Sequence, residues 1–246
     1  MIRHKGMKTH KLHEWSLSLE SAKAIQKNLH AWIITEGACP SPKLIGRIQL
    51  ESTTELNHHC TVQATIKVQS LPSMQLLERK VAIKSSHFPS RPGLQSFRKV
   101  PAILGALDKL NRVPDLFVCD GRGITSHRSF GVASHVGLLT NLPTIGICSA
   151  KPNAESNLLG RERGNYLPVT NQGQYSALVR VLDGLDPILV SPGHRIGLQE
   201  AVQMILRYIP ESTPTRDFLT TLYPAAGINN DDVVQLSLVK TASNHK

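Results

Sequence analysis

Apolar residues follow two rhythms along the chain, and each change of rhythm marks an element. After Ser18, residues Ala22, Ile25, Leu29 and Ile33 recur at three- and four-residue intervals. That is the stripe of an amphipathic helix which Ser18 can cap and which Gly37, Pro40 and Pro42 close. Leu44 to Glu51 reads as a first strand. Thr61 to Ser70 alternates cleanly, with Val62, Ala64, Ile66 and Val68 inward, and Met74 to Ile83 is its hairpin partner around Leu71-Pro72-Ser73. The three make an antiparallel meander. His87 to Gly93 is irregular. A helix then starts near Pro101, a suitable first-turn residue, with Ile103, Leu104, Leu107 and Leu110 as its buried stripe.

The next stretch organises the rest. Leu116-Phe117-Val118-Cys119 is apolar without interruption, which fits a strand buried on both faces, as in a parallel sheet. It stops on Asp120 and the turn Gly121-Arg122-Gly123; a helix (Phe130 to Leu139) and a second strand (Pro143 to Cys148) follow. An acid at that position stands at the carboxyl end of the sheet, where open α/β sheets bind ligands. The glycines let backbone pass close to whatever Asp120 faces. On the first strand Gln49 and Glu51 share a face, since side chains repeat every two residues. Residues 152–175 form an irregular excursion. Tyr175 to Val181 and Pro187 to Val190 are strand-like, the latter ending in Ser191-Pro192-Gly193-His194. Leu198, Ala201, Val202, Ile205 and Leu206 mark an amphipathic helix, and Pro210 to Leu222 is expected to be a short closing one. The fold class is α/β: a mixed sheet, antiparallel meander first and parallel strands after, with flanking helices. Residues 1–14 are expected to be a loose basic arm and residues 223–246 a mobile tail.

The 246 residues carry a net charge of +10 and a pI near 9.7. Such a balance predicts a polyanionic partner, nucleic acid before membrane, because no basic amphipathic helix stands out. The start lacks an apolar signal-peptide core and no run reaches transmembrane length, so a cytoplasmic protein without membrane contact is expected. The four cysteines form no C-x-x-C pair and read as reduced core residues. His58-His59-Cys60 lacks a second ligand pair for zinc and reads as a hairpin-loop cluster. Ser126-His127 and Ser134-His135 are neighbours whose side chains point apart, so neither is a catalytic dyad.

Three separated stretches, FPSRPGLQSFRKVPAILGAL, DGRGITSHRSFGVASHVGLLTNLPTIGI and SPGHRIGLQEAV, resemble endonuclease V in order and spacing, far more specifically than any lone glycine pattern. The resemblance covers residues 15–222, expected to be one domain, and implies a ribonuclease H-like fold. It also implies, for a chain expected to be a monomer, an enzyme of DNA repair that recognises a deaminated adenine (hypoxanthine, in DNA or RNA containing inosine). Its reaction is Mg²⁺-dependent hydrolysis of the phosphodiester 3′ to that base. Magnesium needs hard oxygen ligands, and it polarises phosphate and generates the attacking hydroxide.

On the family's pattern Asp120 is the retained metal ligand and, with His194, a catalytic residue. The aspartate of the first strand falls on Gln49, and the glutamate of Phe-Arg-Glu on Lys99. A lysine after the second parallel strand falls on Ser149, with Lys151 two residues on. The tyrosine of the strand-separating wedge falls on Ser90, beside Arg91, and the histidine of Asp-Gly-His-Gly on Arg122. A cationic lysine several ångströms from a metal ion would repel it by about 4 kcal/mol or more per charge at an effective dielectric near 20. Two rescues are weighed: Glu51 reaching in as a substitute ligand, and His194 acting as ligand or proton carrier rather than as a polar turn residue. Alternatively Lys99 binds phosphate directly, which predicts an inactive homologue that binds nucleic acid without cutting. The resemblance assigns the base pocket to Gly93, Leu94, Gly121, Gly131 and Val132, unless these glycines simply permit close packing. It assigns phosphate contacts to Arg98 and Arg128.

Overall fold

A strand that is apolar at four successive positions can only lie between two packed layers, because its side chains alternate between faces. The computed structural model describes residues 6–54, 60–126, 129–150, 158–169 and 175–209. Its elements in chain order are α1 (Leu19–His30), β1 (Leu44–Thr54), β2 (Cys60–Ser70), β3 (Leu76–Ser86), α2 (Gln95–Leu107), β4 (Leu116–Asp120), β5 (Ile124–Ser126), β6 (Ser129–Phe130), α3 (Val132–Thr140), β7 (Thr144–Ser149), β8 (Tyr166–Val169), β9 (Ser176–Val179), β10 (Ile188–His194) and α4 (Leu198–Tyr208). Eight strands form one sheet in the order β3-β2-β1-β4-β7-β10-β9-β8, while β5 and β6 pair as a separate ribbon. β1, β2 and β3 are antiparallel; β1, β4 and β7 are parallel; β10 returns antiparallel to β7. This is the mixed, ribonuclease H-like sheet expected.

The β4 side chains divide as the alternation requires. Leu116 and Val118 join Ile45, Ile145, Ile147 and Val190 beneath α4. Phe117 and Cys119 join Ile48, Val62 and Ile66 beneath α2 and α3. Among the described residues no helix is long and apolar enough to cross a membrane.

The sequence is corrected in four places. α2 begins at Gln95, so Pro101 sits inside the helix rather than in its first turn. The buried stripe runs back through Val100 to Phe97, and this packing outweighs the one backbone bond that an internal proline removes. β8 appears inside the stretch expected to be irregular; it is short, carries Pro168, and lies at the sheet edge, where a proline is tolerated. α1 ends at His30, short of Ile34. The described part of the expected loose arm is docked: Met7 is buried, its N–H donates to the Leu107 carbonyl (3.2 Å), and the His10 N–H to the Leu139 carbonyl (2.7 Å). Both carbonyls lie in the last turns of helices, where no intrahelical donor remains. The closing helix and tail expected after Pro210 lie outside the described residues.

Phe117 is fully buried between layers. Phe117→Ala is expected to lower stability by about 3–5 kcal/mol, measured as a fall in the urea midpoint at unchanged slope.

Candidate functional site

Parallel pairing of β1 with β4 brings Arg47 level with Val118 and Ile48 level with Cys119. The ladder ends there, and Gln49 and Asp120 are the residues that follow it on the two strands. Asp120 therefore stands at the carboxyl end of the parallel strands, as expected, with Ile147 of β7 on its other side. Ser149 lies two residues further along β7 and is exposed.

The Asp120 carboxylate is already occupied. Arg47, which projects from β1 on the same face as Gln49 and Glu51, lays Nη2 on Asp120 Oδ1 in a close ion pair. Its Nη1 donates to the carbonyls of Ile48 (3.1 Å) and Val118 (3.4 Å). The second carboxylate oxygen accepts the Leu50 N–H at 3.3 Å. The side chains are 3% and 15% exposed, so the pair is screened far less than one on the surface. A buried guanidinium with its partner removed is left uncompensated, at a cost of about 3–5 kcal/mol.

The surrounding residues do not restore a metal site. Gln49 is half-buried and neutral. Glu51 is exposed, and its carboxylate accepts from Gln63 Nε2 at 3.3 Å. Among the described residues no group of three or more His, Cys, Asp or Glu side chains could hold a metal ion. A donor set of one carboxylate, bound on both oxygens and pressed by a guanidinium, does not fit magnesium.

α2 runs down the sheet and delivers the chain to the start of β4, so its first turns lie toward the Asp120 end. They carry Arg98, which is buried, and Lys99, which is half-buried. Neither makes a hydrogen bond or ion pair with another described residue. Ser90 is exposed and accepts from Gln95 Nε2 at 3.0 Å. Arg122 is exposed beside the Cys148 thiol, whose pKa burial pushes up while Arg122 opposes the rise.

The expected base-pocket segments are brought together by a residue the sequence did not single out. Gln26 of α1, 5% exposed, donates through Nε2 to the Gly93 carbonyl (2.7 Å) and to the Phe130 carbonyl (2.9 Å). One amide thus clamps the Pro-Gly segment to the backbone preceding α3. Gly93 has φ +79° and open space around it. Gly131, by contrast, has no room for a side chain, because a Cβ would collide with the Arg122 carbonyl. Leu94 and Val132 are buried, and Gly121 donates to the Ile147 carbonyl at 2.9 Å. Arg128, Lys151, His58 and His59 lie outside the described residues.

His194 is not brought to Asp120. It pairs with Thr144 at the start of β7, three residues before Ile147, the partner of Asp120; that separation is about 10 Å along the strands. Its Nδ1 accepts the Ile34 N–H at 3.3 Å. Burial, and then the Arg195 charge, push its pKa down to about 4. His135 is fully buried with its Nε2 2.9 Å from Nε2 of His13, so it is no partner for Ser134. Arg47 and Gln26 were missed, though Arg47 left a signal: a cation on the inward face of a strand beside the acid-bearing one.

A family model described as Endonuclease V matches residues 27–217. Endonuclease V of Trichormus variabilis is 34% identical over 224 residues, covering 87% of this chain and 99% of that protein. The crystal structure of endonuclease V from Streptomyces avermitilis matches with a TM-score of 0.72 at 29% identity, covering 93% of this chain and 96% of that one. Ciona intestinalis endonuclease V, in complex with a 23mer DNA containing an inosine followed by a ribo-adenosine, matches with a TM-score of 0.67 at 22% identity, covering 91% and 100%.

Asp120→Ala is expected to destabilise the fold by about 3–5 kcal/mol, and Arg47→Met/Asp120→Leu to recover most of that loss; urea denaturation of both variants measures it. The unfolded chain protonates His194 near pH 6.5 but the folded chain only near 4, so stability falls as pH drops through that window. Relative to His194→Gln, the natural chain is expected to lose up to about 3 kcal/mol across it, read from denaturation midpoints at stepped pH.

Proposed function

The chain belongs to the endonuclease V family, and from that premise we propose that it binds nucleic acid bearing hypoxanthine and leaves the phosphodiester bonds intact. The observation that carries the second half is the Arg47–Asp120 pair. For magnesium to reach Asp120 it would have to displace a buried guanidinium, and Gln49 and Lys99 stand where the family pattern has two further carboxylates. Leaving Arg47 without its partner costs about 3–5 kcal/mol before the ion makes any bond, and Lys99 adds repulsion. No step of hydrolysis is therefore routed through a metal.

Binding is supported by different residues. The net charge of +10 favours a polyanion. Lys99, half-buried and without a partner among the described residues, offers a point contact to phosphate. The Gln26 clamp holds the Gly93 and Phe130 backbone in fixed relation, which suits recognition of an extruded base by main-chain groups. The inosine-containing DNA held by the Ciona protein supports hypoxanthine as the base. A protein that marks such a base without cutting leaves the incision to a separate nuclease.

The test uses labelled single strands, DNA and RNA, carrying one inosine or one adenine, followed by anisotropy across a salt titration and by gel analysis with Mg²⁺ or Mn²⁺. The natural chain is expected to bind, to prefer inosine, and to yield no product. Lys99→Ala should weaken binding to both strands roughly equally and lower the log–log salt slope by about one. Metal-dependent cutting that Asp120→Ala abolishes would overturn the proposal, and salt-independent or absent binding would overturn its first half.

A further inference from the structure

His194 was singled out by its motif, yet it lies away from Asp120, and it lines a cavity of its own. The cavity measures ≈ 430 Å³ and lies between residues of the docked N-terminal segment, the chain just past α1, and the end of α3. That volume is within the range of small-molecule sites. One wall is Trp32, whose side chain is 62% exposed, beside Ile34, 47% exposed. His194, held beside Ile34 by its Nδ1 bond, also lines the cavity, with Asn141, His10 and Lys11.

Two of the polar groups that line it, His194 and Asn141, are left as donors by their other bonds. The Ile34 N–H donates to His194 Nδ1, so the imidazole proton is on Nε2, which has no partner among the described residues. Arg195 Nη1 donates to Asn141 Oδ1 at 2.7 Å, which fixes the amide and leaves its NH₂ group unpartnered among the described residues. Asn141 holds this position as the left-handed residue ending α3, at φ 55°. Two donors beside an aromatic wall match a flat ring that presents two adjacent acceptors. The N7–O6 edge of guanine or hypoxanthine does so; adenine offers one acceptor and one donor there. Lys11, another lining residue, pairs with Glu14, both largely exposed, a surface bond weak enough to be exchanged for a phosphate.

We propose that this cavity is a binding site for a 6-oxopurine with an adjoining phosphate, stacked on Trp32 and read at its N7–O6 edge by His194 and Asn141. It is separate from the Asp120 end of the sheet and does not rest on the function proposed there. Burial keeps His194 neutral down to about pH 4, so the donor persists at physiological pH. The ligand's source is either a free purine nucleotide or an unpaired base of a strand, and both present the same edge and phosphate.

Isothermal titration of the full chain with GMP, IMP, AMP and CMP, and with short single strands carrying one guanine or one adenine, distinguishes them. GMP and IMP are expected to bind at least about tenfold more tightly than AMP or CMP. Trp32→Ala, at an exposed position, should weaken binding about tenfold or more. Asn141→Gly keeps the left-handed backbone and should erase the preference for guanine over adenine. Saturation by mononucleotides assigns a free nucleotide; saturation only by the guanine strand, with the same response to Trp32→Ala and Asn141→Gly, assigns a strand base. No binding by either class, binding unchanged in Trp32→Ala, or equal affinity for GMP and AMP would overturn the proposal.

Discussion

An arginine lying on the aspartate at the end of the central strand sets the charge balance of that corner of the sheet. Arg47 reaches Asp120 because β1 and β4 pair in parallel, with Arg47 one residue lower in the ladder than Ile48 and Cys119. The guanidinium also ties two backbone carbonyls, and Asp120 holds the Leu50 N–H, so the pair fastens the two strands where their pairing ends. The same contacts that stabilise this corner consume the oxygens a divalent ion would use. In an interior of low dielectric, one charge is balanced by one partner, and a competing cation must leave that partner exposed to no solvent and no counter-charge.

The substitutions around the pair are mutually consistent. A neutral amide at Gln49 and an ammonium at Lys99 would be poor neighbours for magnesium but suit a corner whose carboxylate is already neutralised. The backbone around Gly93 and Phe130 is held by Gln26 independently of the ion pair. In the function proposed above, binding would rest on residues other than the Arg47–Asp120 pair, so it could persist without cleavage.

The fold was legible wherever one face of an element had to be buried. The uninterrupted apolar run before Asp120 required a central strand, and the alternation from Thr61 to Ser70 required its meander. It failed where local chemistry misled: Pro101 is a good first-turn residue, yet Phe97 and Val100 extend the buried stripe a turn earlier. The polar sequence around Tyr166 hid β8, because an edge strand needs little apolar content. At the site, the position of Asp120 was readable, but its partner was not. Pairing of Arg47 with Asp120 depends on which strands become neighbours and in what register, and neither is written locally. His194 shows the same limit: its motif placed it near the chemistry, whereas the β10–β7 ladder sets it at the other end of the sheet.

Direct measurement of metal occupancy tests the central claim. Titration of the natural chain with Mn²⁺, followed by electron paramagnetic resonance of the free ion, is predicted to show no stoichiometric site, whereas Arg47→Gly/Gln49→Asp/Lys99→Glu is predicted to gain one. A single tight Mn²⁺ per natural chain, lost in Asp120→Asn, would contradict the account.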